Sequence, residues 1–275
     1  MFGSVSSMSQ SPSPPRLSPP ISQKNAVNRV HAEKLRIAIP AQAERSVMDE
    51  CPSIYAGTEL ITRVLPHVLL CALGILNKAL TEFVDRKVVV VSCVCDGVSI
   101  ETAINAVANA RKLNPGRHII HVLFDVADNG SNQMVDISIN VKDREYSLIA
   151  TVDQSNWYYY AARLLTEFEA RQYSSIVHCN MGISRSPVVV AMLLILQDKV
   201  NGSLKSDFYK YIEYLYTIRQ CTSINLSFST SLLQMFNALN SSMTMEQLDA
   251  QIESQSNSVK TTIDYVQRFC RVDTD

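Results

Sequence analysis

Cys179 and Arg185 bracket the stretch Asn180-Met181-Gly182-Ile183-Ser184, with His178 before it and Ser186 after it. A thiol and a guanidinium at the two ends of one short turn can do chemistry on an anion. The thiolate is the nucleophilic form, and a free thiol titrates near about 8.5. A helix N-terminus and a nearby cation lower that value by several units. A planar guanidinium grips two phosphate oxygens at once, and successive N–H groups at the start of a helix converge on the same anion. Gly182 supplies the left-handed backbone that so tight a turn needs. Phosphoryl transfer to Cys179 is therefore the expected chemistry, with Asn180, Met181, Gly182, Ile183, Ser184 and Arg185 as the phosphate site.

Such a loop needs a strand to deliver the thiol and a helix to return the guanidinium. SSIVHC (174–179) reads as an apolar strand, and PVVVAMLLIL (187–196) as a helix that is apolar all round and central to a domain. Pro187 is acceptable in its first turn. Upstream, the β-branched run VVVVSCV (88–94) predicts a buried strand. Ser99 can cap a helix carrying Ile100, Ala103, Ile104, Val107 and Ala108, which Asn114-Pro115-Gly116 stops. HIIHVLFDV (118–126) and VDISINV (135–141) predict two further strands, and Asp153 opens a helix over WYYYAARLLTEFEA. Strands alternating with helices make residues 86–240 an α/β domain: a central, mostly parallel, mixed sheet of about five strands flanked by helices.

The remainder divides in three. Residues 1–57 form an arm rich in Ser and Pro at its start, which cannot bury enough apolar surface to fold. Ser11, Ser13 and Ser18 each precede Pro and could accept proline-directed phosphorylation, and Lys34 to Ile39 faintly resembles peptides that dock on signalling kinases. Residues 58–85 carry Ile61, Val64, Leu65, Val68, Leu69, Leu76, Leu80 and Phe83 at helical intervals, predicting an accessory helical segment. Residues 241–275 read as a polar tail with one helix from Met245 to Ile252.

Composition excludes several function classes. A net charge of −1 leaves no basic excess to drive nucleic-acid binding by counterion release. The apolar run Val64 to Leu76 contains Pro66 and His67 and is too short to span a bilayer. The first residues lack the basic start and apolar core of a secretory signal. Seven cysteines without framework spacing are expected to be reduced, in the cytoplasm or also the nucleus. Cys93 and Cys95 lie in a strand pattern and read as buried structural thiols, so neither metal nor other cofactor is expected.

HCNMGISRS fits the Cys-x5-Arg-Ser/Thr signature and resembles the protein tyrosine phosphatase superfamily, in the variant typical of dual-specificity phosphatases. The resemblance covers residues 86–240. GVSIETAINAVANARKLNPGRHIIHVLFDV looks like the family's opening helix and strand, and RQCTSINLSFSTSLLQM (219–235) like its closing arginine, asparagine and helix. It implies a metal-independent reaction with Cys179 as nucleophile, Arg185 on the phosphoryl oxygens, Ser186 assisting departure of the sulfur, and His178 in support. It also implies a general-acid Asp, for which Asp125, Asp128, Asp136, Asp143 and Asp153 are available. INVKD (139–143) resembles the stretch in which the acid closes a strand, so Asp143, 36 positions before the thiol, is favoured. Asp128, in FDVADN, also looks like the motif but needs a larger insertion, while Asp153 resembles the opening of a helix. The implied substrates are phosphorylated proteins, on phosphotyrosine and on phosphoserine or phosphothreonine. Two alternatives stand beside this: a phosphatase for lipid or RNA phosphates, and a phosphoprotein-binding scaffold without turnover. Phosphoinositide-directed relatives tend to carry lysines between the cysteine and the arginine, and NMGIS has none.

Overall fold

The computed structural model describes residues 60–128, 134–141 and 145–253. Among these, seven strands form one sheet in the order β1-β2-β7-β3-β4-β5-β6. The strands are β1 (Thr62–Leu65), β2 (Val68–Ala72), β3 (Lys87–Val94), β4 (His118–Asp125), β5 (Met134–Val141), β6 (Ser147–Asp153) and β7 (Ser174–Cys179). β2, β7, β3 and β4 run parallel; β1, β5 and β6 are joined through antiparallel pairings. The expected mixed, mostly parallel sheet is present, enlarged at both edges.

Helices cover both faces. Helices α1 (Leu76–Glu82) and α2 (Gly97–Leu113) lie on one; α3 (Trp157–Glu169), α4 (Arg185–Val200), α5 (Tyr209–Ile218), α6 (Leu226–Asn240) and α7 (Met245–Glu253) pack on the other. The run VVVV in β3 follows from this layering: Val88 and Val90 enter the first core, Val89 and Val91 the second, and all four are fully buried. A parallel strand covered on both faces has no polar side to show, so its sequence does not alternate. Helix α4 is buried from Arg185 to Leu193 for the same reason.

Four expectations need correction. Residues 58–85 are not a helical accessory: from residue 60 they form the β1–β2 hairpin, the short turn Leu73–Ile75 and α1. β2 is buried along its length and pairs in parallel with β7, so its apolar run reflects two covered faces and not a helical stripe. Residues 241–275 are not wholly a tail. Leu248 and Ile252 of α7 are buried in the core, and Asp249 receives the Tyr159 hydroxyl and pairs with Arg163 at 3.1 Å. Asp153 ends β6 and the helix begins at Trp157, while α2 is capped by Asp96, whose carboxylate accepts from Ser99 N–H at 2.8 Å. The arm 1–57 and the Ser-Pro and Lys34–Ile39 readings within it lie outside the described residues. No helix among the described residues is long and apolar enough to cross a membrane.

Candidate active site

β7 carries the thiol to the edge where the parallel strands end, and α4 starts six residues later with Arg185. Cys179 is 2% exposed. Its sulfur accepts from the Gly182 N–H at 3.2 Å and from the Ser186 hydroxyl at 3.3 Å, two donors placed to stabilise negative charge on sulfur.

The loop between them is held open by its surroundings. The Asn180 carbonyl accepts from Leu73 N–H (3.2 Å), the Gly182 carbonyl from Arg219 Nε (2.9 Å), and the Ile183 carbonyl from Ser223 N–H (2.7 Å). With these three carbonyls engaged by flanking segments, the loop has its acceptors turned outward, the arrangement in which backbone N–H groups can face an anion. Gly182 has φ +68°, and a Cβ there would meet the Cys71 carbonyl oxygen at 2.7 Å, so both conformation and space require glycine. Asn180 Nδ2 donates to Asp96 at 3.2 Å. Hydrogen bonds from Ser99 first, then Asn180, hold the Asp96 carboxyl down at about 2.

Arg185 is almost fully buried and donates through Nη1 to the Val126 carbonyl at 2.9 Å. Its Nε is buried with no protein acceptor, a donor remaining for an anion. Arg219 also donates to the Leu60 carbonyl at 2.7 Å and the Thr62 hydroxyl at 3.0 Å, tying the chain before β1 to the loop.

Two other buried thiols lie on the strands beside β7. Cys93 lies opposite Cys179 in the β3–β7 register, and burial, then the nearby Cys179, pushes its pKa well up. Burial raises Cys71 to about 12. The pair Cys93 and Cys95 is corrected in part: Cys93 is a buried thiol, but Cys95 is exposed, with its sulfur 3.8 Å from Arg185 Nη1. His178 is fully buried, and desolvation lowers it to about 3, so it is neutral.

The two acid candidates stand differently. Asp128, exposed just after β4, accepts from the Ser184 hydroxyl at 2.8 Å; Ser184 in turn accepts from Asn225 N–H at 3.1 Å. Asn225 Nδ2 donates to the Asp128 carbonyl at 2.7 Å, so Asp128 is tethered to the loop and to α6. Asp143 lies outside the described residues. Val141, two positions before it, pairs with Ile120, whereas Phe124 is level with Cys93 and hence with Cys179. Four strand positions span roughly 13 Å, so β5 ends at the opposite edge of the sheet from Cys179. Asp125 and Asp136 face each other across β4 and β5, and burial, then Asp136, raises the Asp125 carboxyl. Sequence reading did not find Asp96, Thr62 or Leu73. Arg219 and Asn225 appeared in it only as part of a resemblance, with no role.

The family model for the dual specificity phosphatase catalytic domain matches residues 83–238, and the chain belongs to that family. No curated protein matches. Solved structures similar to it include human tyrosine phosphatase-like serine/threonine/tyrosine-interacting protein (18% identity, 66% of this chain and 98% of that one, TM-score 0.42). Others are PTPMT1 (18%, 66% and 97%, TM-score 0.45) and human DUSP28 (16%, 66% and 95%, TM-score 0.42).

Proposed function

We propose that the protein hydrolyses phosphate monoesters on phosphoproteins through a cysteinyl-phosphate intermediate. One observation carries the reading: the Cys179 sulfur receives two donors beside a buried Arg185 whose Nε has no protein acceptor. In the first step the thiolate forms the S–P bond as the ester P–O bond breaks. The loop N–H groups and Arg185 bind the equatorial oxygens, where charge accumulates.

Asp128 is assigned as the general acid, in place of Asp143. It protonates the departing oxygen, without which a seryl or threonyl alkoxide leaves poorly. The assignment is supported by its hydrogen bond to Ser184 within the loop. In the second step the Asp128 carboxylate takes a proton from water, the water oxygen attacks phosphorus, and the S–P bond breaks. The Ser186 hydroxyl, already on the sulfur, stabilises the leaving thiolate.

Phosphoprotein is preferred over phosphoinositide because the residues between Cys179 and Arg185 include no cation for additional ring phosphates. The Cys179→Ser variant is expected to release no phosphate from p-nitrophenyl phosphate, and retained turnover would end the proposal. A panel of phosphopeptides and phosphoinositides then separates the substrate classes. Tight phosphopeptide binding without release by the unmodified chain would instead identify a scaffold.

A further inference from the structure

The edge of the sheet where the parallel strands begin, opposite the Cys179 loop, carries positive charge that the proposed reaction does not use. A cleft of about 950 Å³ opens there, lined by Arg86, Lys87, Arg111, Lys112, Arg117 and His118, and no described residue of its wall is acidic. Lys87 stands six positions before Cys93, which is level with Cys179, so the cleft lies roughly 20 Å from the thiol. The whole chain has a net charge of −1, so this is a local concentration of cations.

Two of these cations are pinned by neutral oxygens. Arg117 donates to the carbonyls of Leu80 (2.7 Å), Asp85 (3.0 Å) and Phe83. Arg111 donates to the Ile119 carbonyl through Nε (3.1 Å) and Nη2 (2.7 Å). A carbonyl orients a guanidinium without cancelling its charge. Burial, the larger effect, lowers the Arg117 pKa and the Asp85 carboxylate raises it, so this cation is short of counter-charge. Arg86, Lys87 and Lys112 are exposed, with the Lys87 ammonium 5.5 Å over the Tyr173 ring. Among the described residues, Arg86, Lys87, Lys112 and Arg117 form no ion pair.

The same edge carries exposed aliphatics. Helices α1, α2 and α4 run back against the strands, so their last turns arrive where the strands begin. Val84, Leu113 and Val200 stand at or just past those ends and are 82%, 76% and 69% exposed. They are three of the four most exposed large apolar side chains among the described residues. Leu113 adjoins Lys112 in the chain, and Val84 lies two positions before Arg86.

Charge alone would suit an acidic peptide. A bilayer surface matches both features, offering anionic headgroups to the cleft and an apolar layer beneath them to the aliphatics. Five cations around one concavity also exceed what a headgroup with a single phosphate would neutralise. We propose that this edge docks the protein on an anionic membrane, the cleft taking a polyphosphorylated inositol headgroup while Val84 and Leu113 enter the acyl boundary. Docked in this way, the molecule turns the Cys179 loop to the aqueous side. The headgroup is held as a ligand, away from the thiol, so the inference stands apart from the proposed reaction.

The test is flotation of the full chain with phosphatidylcholine vesicles holding a phosphatidylinositol bisphosphate at about one lipid in twenty, against phosphatidylcholine alone. Binding is expected to the first only; equal binding to both, or to neither, overturns the proposal. Arg86→Ala, Lys87→Ala and Lys112→Ala should each weaken binding about fivefold, and all three together about a hundredfold. Val84→Ser combined with Leu113→Ser should weaken it about tenfold. These side chains are exposed, so circular dichroism of every variant should match the parent. Full affinity in the triple or the double variant overturns the proposal. Binding of a soluble inositol polyphosphate, or of a glutamate-rich peptide, without vesicle binding also overturns it and gives the cleft to that ligand. A chain that floats with the vesicles but releases no phosphate would count against the phosphatase reading alone.

Discussion

The proposed nucleophile and the proposed acid are held in opposite ways. Cys179 and Arg185 are buried, and the loop between them is fastened through three backbone carbonyls to segments before β3 and after α5. Asp128 is exposed and tethered by one hydroxyl and one amide side chain. The first arrangement suits a site that must present fixed dipoles to a developing charge, because preorganised donors need no rearrangement during reaction. The second suits a group that must meet leaving oxygens of differing size. Rigidity is concentrated where charge develops, and adaptability where the substrate differs.

The largest effects should come from the rigid half. Arg185→Lys replaces a planar fork by a point charge and should lower kcat about 10³-fold while leaving the fold intact, as steady-state kinetics and circular dichroism would show. An effect below tenfold would mean the guanidinium is not on the phosphoryl group. Asp128→Asn should cost about 10²-fold with a phosphothreonine peptide and far less with an ester whose phenol leaves unassisted. Equal losses on both would remove Asp128 from the acid role, and a large selective loss in Asp143→Asn would assign it there.

Gly182→Ala meets a carbonyl at 2.7 Å and carries φ +68°. It should destabilise the domain by about 2 kcal/mol, read as a fall of several degrees in Tm. The smallest effect concerns pH. His178, at about 3, and His121, also depressed by burial, bind protons more readily unfolded than folded. The stability they contribute is complete above the unfolded value of about 6.5 and lost as pH falls below it. Tm should decline from pH 7 to 5, and more shallowly in His121→Gln; an unchanged slope would show that His121 titrates alike in both states.

The loop was legible because nearly all of its chemistry is local. Residues 174–200 contain strand, turn, thiol, arginine and buried helix in one continuous run, and the strand and helix lie where the sequence puts them. The proposed acid was less legible, because its placement depends on sheet topology. VDISINV is a strand, as expected, but it runs antiparallel to β4 and carries its end away from the loop. β6 escaped because Leu148 is exposed and Ile149 half-buried, so the segment lacks clean alternation. β2 read as helix because a strand buried on both faces has no period.

Arg219 bears on the order in which the molecule is made. It bonds Gly182, Leu60 and Thr62, closing separations of 37, 159 and 157 residues. During synthesis the strands and Cys179 emerge before this guanidinium, at about 5–20 residues per second. Until α5 has followed and Arg219 has docked, the Gly182 carbonyl lacks the partner that turns it outward. On the proposed reading, competence for phosphate arrives late, after the sheet, and a nascent chain ending before Arg219 would carry its thiol in a loop without this fastening.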